Sequence, residues 1–240
     1  MNLKFKVAYD GSLFLGSQKQ PNRQTVEDEL LKAFSTLNIK TDIVLSGRTD
    51  KEVHATGQVF NCQIPSYWTD FKKLKEILNK RLPSSIQIRD ISNVPDDFHS
   101  RFHAKKRTYR YLITSKPTNP FNAKYITYVK NIDEEILKKA IKEFIGVYDF
   151  KYFHKTGSDK EVTIREIFDT AFYKYKDVYV FKFTANSYLR SQIRLMVGFL
   201  IAINDKKLTI EDLKAQLKLK KNIFKTPIIP NGLYLAKIKY

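Results

Sequence analysis

A short polar stretch, SGRTDKEVHATGQ at residues 46–58, contains the side chains best suited to chemistry. Arg48 and Asp50 stand two residues apart in it, at the junction between two apolar runs. A guanidinium near a carboxylate favours the ionised carboxylate, which acts either as a base or as a nucleophile. An isolated pair of this kind is more often a salt bridge at a surface turn, so the pair alone does not establish a catalytic site.

The composition indicates a binder of polyanions. The 240 residues include 43 Lys and Arg against 25 Asp and Glu, a formal net charge of +18, which attracts nucleic acid or an anionic membrane surface. A lysine-rich codon bias is the competing explanation of this charge. The single cysteine, Cys62, excludes an internal disulfide and a cysteine-rich metal site. The longest uncharged apolar run, 196–203, is too short to cross a bilayer, so we expect a soluble, cytoplasmic protein without membrane partners.

Apolar periodicity predicts two sets of strands and helices in the same order. The first set is predicted as a strand (3–9), a helix from Thr25 with capping-box spacing to Asp28, two strands (42–47 and 57–64), a helix from Thr69 and a strand (86–94). The second set is predicted as a strand (107–114), a helix (133–146), two strands (163–176 and 178–185), a helix from Ser187 to about Ile203, a short helix after Thr209 and a strand (232–240).

This order predicts an α+β fold of two tandem split-βαβ units, of the ferredoxin-like or RRM-like kind. We expect the units to cover residues 1–104 and 105–240, the first carrying Asp50. Each unit should form a mixed, mainly antiparallel sheet with helices packed on one face. The active-site cleft is expected between the two halves.

Several further motifs favour a catalytic interpretation of Asp50. They are YDGS with GSQKQ (9–20), GRTDKEVHATGQV (47–59), PDDFHSRF (95–102), RTYRY (107–111), GVYDF (146–150), ANSYLRSQIRLMVG (185–198) and GLYL (232–235). In these motifs and in their order, over nearly its whole length, the chain resembles the tRNA pseudouridine synthase A family. The GRTD and VHATGQ block is specific, whereas YDGS or GLYL alone would be weak.

The resemblance implies isomerisation of uridine to pseudouridine in tRNA, with positions 38, 39 and 40 of the anticodon stem-loop as the family's usual targets. By matching positions, Asp50 is the catalytic nucleophile or base, and Arg48 contacts the extruded nucleotide or its phosphate. Tyr109 packs on the target base after it has left the helix, and Arg194 pairs with Asp50. The family's habit also implies a homodimer.

The chemistry of this isomerisation agrees with a single essential carboxylate. One glycosidic bond breaks and another forms on the same sugar, so nothing is oxidised, no group is acquired and no cofactor is expected. Attack on C1′ and removal of a proton from the sugar both stay open. A glycoside hydrolase would need a second carboxyl group, and Glu52 keeps hydrolysis as a minor alternative.

A basic cluster around Tyr109 is predicted to contact RNA phosphates, although a solvated charged face is the competing interpretation. Its members are Arg101, Lys105, Lys106, Arg107 and Arg110. His99 and His103 have the spacing of a metal-binding pair, but no third ligand accompanies them, so no metal site is expected. The lysine-rich run 216–221 is interpreted as a solvated face.

Two positions depart from the family pattern. Ser17 stands where the family usually has tryptophan, and Glu52 where it usually has glycine. A positive φ at Glu52 would strain the backbone, and its charge would repel phosphate. These departures leave open a catalytically weak or silent tRNA-binding or tRNA-folding protein, or a structural component of a ribonucleoprotein. The presence of Asp50 with Arg48, Tyr109 and Arg194 favours catalysis over both.

Overall fold

The computed structural model describes residues 1–21, 24–155 and 162–240. These ranges contain ten strands and five α-helices, joined by loops and short 3-10 turns. In chain order they are β1 (Asn2–Tyr9), α1 (Val26–Ser35), β2 (Val44–Leu45), β3 (His54–Gln63), α2 (Phe71–Arg81), β4 (Ile86–Asn93), β5 (Lys106–Thr114), β6 (Thr127–Tyr128), α3 (Glu134–Ala140), β7 (Gly146–Asp149), β8 (Ile164–Tyr175), β9 (Val178–Ala185), α4 (Gln192–Asn204), α5 (Ile210–Leu217) and β10 (Leu233–Lys239). Two compact units result: the first unit is Met1–Lys105 with Tyr234–Tyr240, and the second unit is Lys106–Leu233.

The sheet of the first unit is built around β3. Strand β1 lies between β3 and β4 and is antiparallel to both. On its other edge β3 pairs twice, antiparallel with β2 at Phe60 and Asn61, and parallel with β10 at His54 and Ala55. The start of β3, which follows the polar stretch directly, is therefore hydrogen-bonded to strands on both sides.

Alternation along β1 sends every second side chain into the core of the first unit. Phe5 is fully buried and stacks on Phe60 of β3, with ring centroids 4.7 Å apart. Phe34 of α1 meets both rings edge-on, at 5.6 and 6.3 Å. This aromatic group joins α1 to the sheet, because burial of three large rings supplies much apolar contact area.

The second unit has the strand order β5-β9-β8-β7, with neighbours antiparallel, and the short β6 lies parallel to β5. Its core is also aromatic. Phe183 of β9 contacts Phe144 at 6.2 Å, and Phe153 contacts Phe199 of α4 at 5.9 Å. Most side chains of α4 are buried, as its apolar composition predicts.

The predicted α+β class with mixed, mainly antiparallel sheets is confirmed, and the tandem split-βαβ description stays a prediction. The predicted division after residue 104 lies one residue from the boundary between the two units. The predicted C-terminal half, however, extends to residue 240, whereas Tyr234–Tyr240 belongs to the first unit. The physical reason is the pairing of β10 with β3, which periodicity along the chain does not reveal.

Three predicted helices differ in their ends. Helix α2 is capped by Asp70, whose carboxylate accepts the N–H of Lys73, one residue after the predicted Thr69. The helix predicted over 133–146 ends at Ala140, continues as a 3-10 turn and gives way to β7. Helix α4 begins at Gln192 rather than Ser187, because Ser191 has a φ of 58°, which a right-handed helix does not accommodate.

Candidate active site

Asp50 lies in the loop between β2 and β3, residues 46–53, which we term the Asp50 loop. Hydrogen bonds hold the start of this loop to β3 and close a turn near its end. The N–H of Ser46 donates to the carbonyl of Val59 at 2.8 Å, and the side-chain amide of Gln58 donates to the carbonyl of Gly47 at 2.7 Å. The N–H of Val53 returns to the carbonyl of Asp50 at 3.2 Å and closes a turn. Hydrogen bonds therefore hold the turn on which Asp50 lies.

Thr49, immediately before Asp50, has all three of its polar groups bonded. Its N–H donates to Oγ of Ser17 at 2.9 Å, and its carbonyl accepts the N–H of Ser17 at 3.1 Å. Its hydroxyl shares a hydrogen bond of 2.8 Å with the hydroxyl of Tyr9. Burial raises the pKa of Tyr9, so this hydroxyl keeps its proton at neutral pH. Ser17 was the sequence's departure from tryptophan, and here it bonds directly to the Asp50 loop.

The charged side chains of the Asp50 loop differ in exposure. Asp50 is half-buried and Arg48 is exposed. Lys51 and Glu52, with 63% and 43% of their side chains exposed, form a loose ion pair at 3.9 Å. Glu52 has a φ of 66°, the left-handed conformation that glycine adopts without strain. The predicted strain at this departure is therefore present in the backbone.

His54 closes the Asp50 loop on its other side. Its Nδ1 accepts the N–H of Gly11 at 3.0 Å and lies 3.3 Å from a carboxylate oxygen of Asp10, while its ring stacks on Tyr234 at 4.7 Å. A Cβ at Gly11 would lie 2.0 Å from the carbonyl oxygen of Val53, so this contact requires glycine. With Nδ1 occupied as an acceptor and the ring buried, His54 supports the loop.

Tyr109 lies on β5 of the second unit and is 7% exposed. It stands opposite Phe183 of β9, and its ring meets that of Tyr188 edge-on at 5.1 Å. The hydroxyl of Tyr188 is buried and has no hydrogen-bond partner among the described residues. Burial raises the pKa of Tyr188, and the nearby Tyr109 and Asp169 raise it further. A base-stacking role for Tyr109 requires an accessible face of the ring, and this role stays a prediction.

Arg194 lies in the first turn of α4 and is half-buried among the apolar residues around it. Its Nε donates to the carbonyl of Ile228 at 2.7 Å, and the N–H of Ile228 donates to the carbonyl of Arg194 at 3.0 Å. This two-way contact fixes the stem of the side chain. The pairing of Arg194 with Asp50 stays a prediction.

The predicted RNA-contact residues fall into two groups. Arg101, Lys105, Lys106 and Arg110 are exposed, and the ammonium of Lys106 lies over the ring of Phe168 at 4.6 Å. Arg107 is only 8% exposed, and its guanidinium donates to the carbonyl of Asn186 at 2.9 Å. The first group can reach phosphate oxygens, whereas the environment of Arg107 is that of a residue supporting the fold.

His99 and His103 both accept hydrogen bonds from backbone N–H groups. Nδ1 of His99 accepts the N–H groups of Arg101 and Phe102, and Nδ1 of His103 accepts that of His99. Within residues 1–21, 24–155 and 162–240, no group of three or more His, Cys, Asp or Glu side chains is arranged to hold a metal ion. In the same ranges, no helix combines the length and apolar character needed to cross a bilayer.

Sequence reasoning missed the residues that support Asp50. Ser17, Tyr9 and Gln58 are 32, 40 and 11 residues from their partners Thr49, Thr49 and Gly47. The one available signal was that Ser17 departs from a family pattern close to a turn. That signal pointed to the position but not to the contact.

The strongly positive charge of this α+β chain is the electrostatic footprint of a nucleic-acid-binding protein. Comparison with known proteins is more specific: the family model described as tRNA pseudouridine synthase matches residues 6–103 and 140–240. The chain belongs to this family.

Relatives match over the full length. A tRNA pseudouridine synthase A of Campylobacter jejuni (strain RM1221) is 40% identical over 242 residues, covering 100% of both chains. Proteins of the same name from Helicobacter hepaticus and Wolinella succinogenes are 39% and 37% identical, covering 99% and 98% of this chain and 98% and 92% of their own. These matches include the region around Tyr109, which lies between the two segments of the family match.

Proposed function

We propose that this chain isomerises uridine to pseudouridine in tRNA, at positions 38, 39 and 40 of the anticodon stem-loop, with Asp50 as the catalytic group. The observation that carries the proposal is the fastened Asp50 loop, in a chain 40% identical over its whole length to a tRNA pseudouridine synthase A. A loop held by its backbone keeps a carboxylate in one place, and such placement is a large part of catalysis.

The reaction is balanced without an added reactant. The bond from C1′ of the ribose to N1 of uracil breaks, the detached uracil turns, and a bond from C1′ to C5 replaces it. The proton lost from C5 is matched by the proton gained at N1. The carboxylate of Asp50 either attacks C1′ or removes a proton from the sugar, and both roles require its ionised form.

The target uridine must leave the helix before Asp50 can reach its sugar. In the proposal Tyr109 packs on the extruded uracil, since its ring belongs to an ordered aromatic pair with Tyr188. Arg48, exposed two residues before Asp50, binds the nucleotide or its phosphate. Arg194 pairs with Asp50 through a charge-assisted contact.

The tRNA is bound through its phosphates, by the exposed residues Arg101, Lys105, Lys106 and Arg110. The net charge of +18 supports this part of the proposal. We further propose a homodimer in the cytoplasm, with one subunit gripping the tRNA while the other reacts. Sedimentation at micromolar concentration tests the dimer, and a purely monomeric protein contradicts it.

The experiment that tests the function incubates the full chain with unmodified tRNA and maps pseudouridine along it. We expect pseudouridine at positions 38 to 40 with the wild-type chain. Asp50→Ala should yield none while still binding tRNA. Asp42→Ala, which removes another loop aspartate that is exposed, is the matched control and should be fully active.

Three results contradict the proposal, the third of them only in part. Binding of tRNA without any pseudouridine, by the wild-type chain, identifies a silent tRNA-binding protein. Full activity of Asp50→Ala shows that another group performs the chemistry. Pseudouridine at other positions keeps the catalytic role and overturns the assignment of the target.

A further inference from the structure

We propose that Ser17 is a positioning residue for Asp50, which it places by holding Thr49 from both sides. The proposal rests on the proposed function, since it assumes that Asp50 is the catalytic group. Ser17 touches neither the substrate nor the reacting atoms in this account. It acts only through the backbone of the Asp50 loop.

The contact between Ser17 and Thr49 is a closed two-way bond. Oγ of Ser17 accepts the N–H of Thr49 at 2.9 Å, and the N–H of Ser17 donates to the carbonyl of Thr49 at 3.1 Å. The carbonyl of Thr49 belongs to the peptide group that it shares with Asp50. Two bonds on one residue restrict rotation as well as translation, so the direction in which Asp50 leaves the loop is defined.

Ser17 is itself anchored to a rigid element. The first N–H groups of α1 have no partners within the helix, and two of them donate to the segment before it. Val26 donates to the carbonyl of Gly16 at 3.3 Å, and Glu27 donates to the carbonyl of Ser17 at 3.0 Å. Ser17 and Thr49 therefore connect the backbone of Asp50 to the start of α1.

Gly16 provides an independent indication that this segment is shaped to meet the Asp50 loop. It has a φ of 116°, and a Cβ built on it would lie 3.0 Å from the carbonyl oxygen of Thr49 and 3.7 Å from the carbonyl carbon of Asp50. A side chain at residue 16 would press on the backbone that carries the carboxylate. Glycine here permits the close approach that the bonds of Ser17 require.

In this chain the space at residue 17 holds a small side chain with an acceptor. Ser17 is fully buried and Thr49 is 7% exposed, so water cannot easily replace a lost partner for the N–H of Thr49. The hydroxyl of Thr49 shares a hydrogen bond with that of Tyr9, which also accepts the side-chain amide of Gln58 at 3.4 Å. Ser17 and Tyr9 thus hold Thr49 through its backbone and its hydroxyl.

The test compares Ser17→Ala with wild type by single-turnover kinetics and by tRNA binding. The variant lacks the acceptor for Thr49, and a catalytic group misplaced by about 1 Å loses up to about 100-fold in rate. We expect kcat to fall about tenfold or more while Kd for tRNA changes by less than about twofold. Ser17→Cys keeps the size and a weak acceptor, and should recover part of the lost rate.

Ser92→Ala is the matched control. The hydroxyl of Ser92 on β4 is also buried in the first unit, but it has no hydrogen-bond partner among the described residues. Its removal should leave kcat unchanged. Denaturant titration of every variant gives the folded fraction, and kcat is expressed per folded molecule. Should Ser17→Ala fail to fold, the same comparison is made with Ser17→Cys, whose kcat should then fall without a change in Kd.

The outcomes separate this inference from the proposed function. If Asp50→Ala retains activity, the proposed function itself fails. If Asp50→Ala is inactive but Ser17→Ala has the wild-type kcat per folded molecule, only the positioning role is overturned. Parallel losses of kcat and of tRNA affinity in Ser17→Ala overturn it as well, because they indicate general damage to the fold.

Discussion

Single residues in the first unit show what several of its aspartates do. Asp10, Asp28 and Asp70 each use a carboxylate oxygen to accept a backbone N–H at the start of a helix or turn. Such carboxylates are committed to capping. Asp50 instead lies in a loop whose backbone is fastened through its neighbour Thr49. These contacts stabilise the starts of helices and turns, whereas the role proposed for Asp50 is chemical.

The proposed pairing of Arg194 with Asp50 makes a prediction about kinetics. Arg194→Ala should reduce turnover more than tRNA affinity, because the guanidinium is proposed to contact the catalytic carboxylate rather than the tRNA. Arg194→Lys keeps the charge but loses the bond from Nε to Ile228, so it should recover part of the turnover. Arg190→Ala, which removes an exposed arginine nearby, is the control. Equal losses of turnover and affinity in Arg194→Ala would contradict the pairing.

Glu52 makes a prediction about strain. Its φ of 66° is unfavourable for a residue with a Cβ, so Glu52→Gly should raise the free energy of unfolding by about 1 kcal/mol. Turnover should rise too, because the substitution removes the negative charge of Glu52, which is expected to repel the phosphates of the tRNA. Lys206 has a similar φ of 59° in the second unit, so Lys206→Gly relieves similar backbone strain. This control should raise the free energy of unfolding without affecting turnover. An unchanged rate in Glu52→Gly would remove Glu52 as a hindrance to catalysis.

At the scale of elements, the start of α1 connects helix capping to the Asp50 loop. Thr25 accepts the N–H of Asp28, and the carboxylate of Asp28 accepts the N–H of Thr25, which completes a capping box. The N–H groups of Val26 and Glu27, which follow, donate to the carbonyls of Gly16 and Ser17. A weakened cap should therefore loosen the segment that positions Thr49.

Two capping boxes of the same type allow a controlled experiment, although Thr25 is buried and Thr209 is exposed. Thr25→Ala should lower the free energy of unfolding by about 1 kcal/mol and also reduce turnover. Helix α5 begins with the same capping box, formed by Thr209 and Asp212, in the second unit. Thr209→Ala should reduce stability without a specific loss of turnover. If the two variants lose turnover equally at equal stability, α1 has no special connection to the reaction.

For the whole molecule, the excess of positive charge predicts how tRNA binding depends on salt. Each of Arg101, Lys105, Lys106 and Arg110 that contacts a phosphate should reduce the slope of log K against log salt by about 1 when changed to Ala. Arg107→Ala should instead lower stability, since Arg107 is buried and bonded to Asn186. Titrations at several salt concentrations measure the slopes. Lys220→Ala, on the run interpreted as a solvated face, should leave the slope unchanged.

The amino-acid sequence alone determined the α+β class, most element positions in the first unit and the stretch that contains Asp50. These features are local: strand alternation, helix periodicity and the capping box of Thr25 are expressed within a few residues. The family was equally accessible, because its motifs are short and occur in a fixed order. The ends of the helices were harder to predict from the sequence. The start of α2 depends on one hydrogen bond to Asp70, and the start of α4 depends on the backbone angle φ of Ser191.

Only the tertiary structure decided what supports the reactive loop. Three contacts join positions that are far apart in the chain. They are the hydrogen bond between Ser17 and Thr49, the pairing of β10 with β3, and the hydrogen bond from the buried Arg107 to Asn186. Periodicity reports which face of an element is apolar, but not which distant element covers it. In the sequence, Ser17 is recognisable only as a departure from the family pattern. Its hydrogen bonds to the Asp50 loop are apparent only in the folded structure.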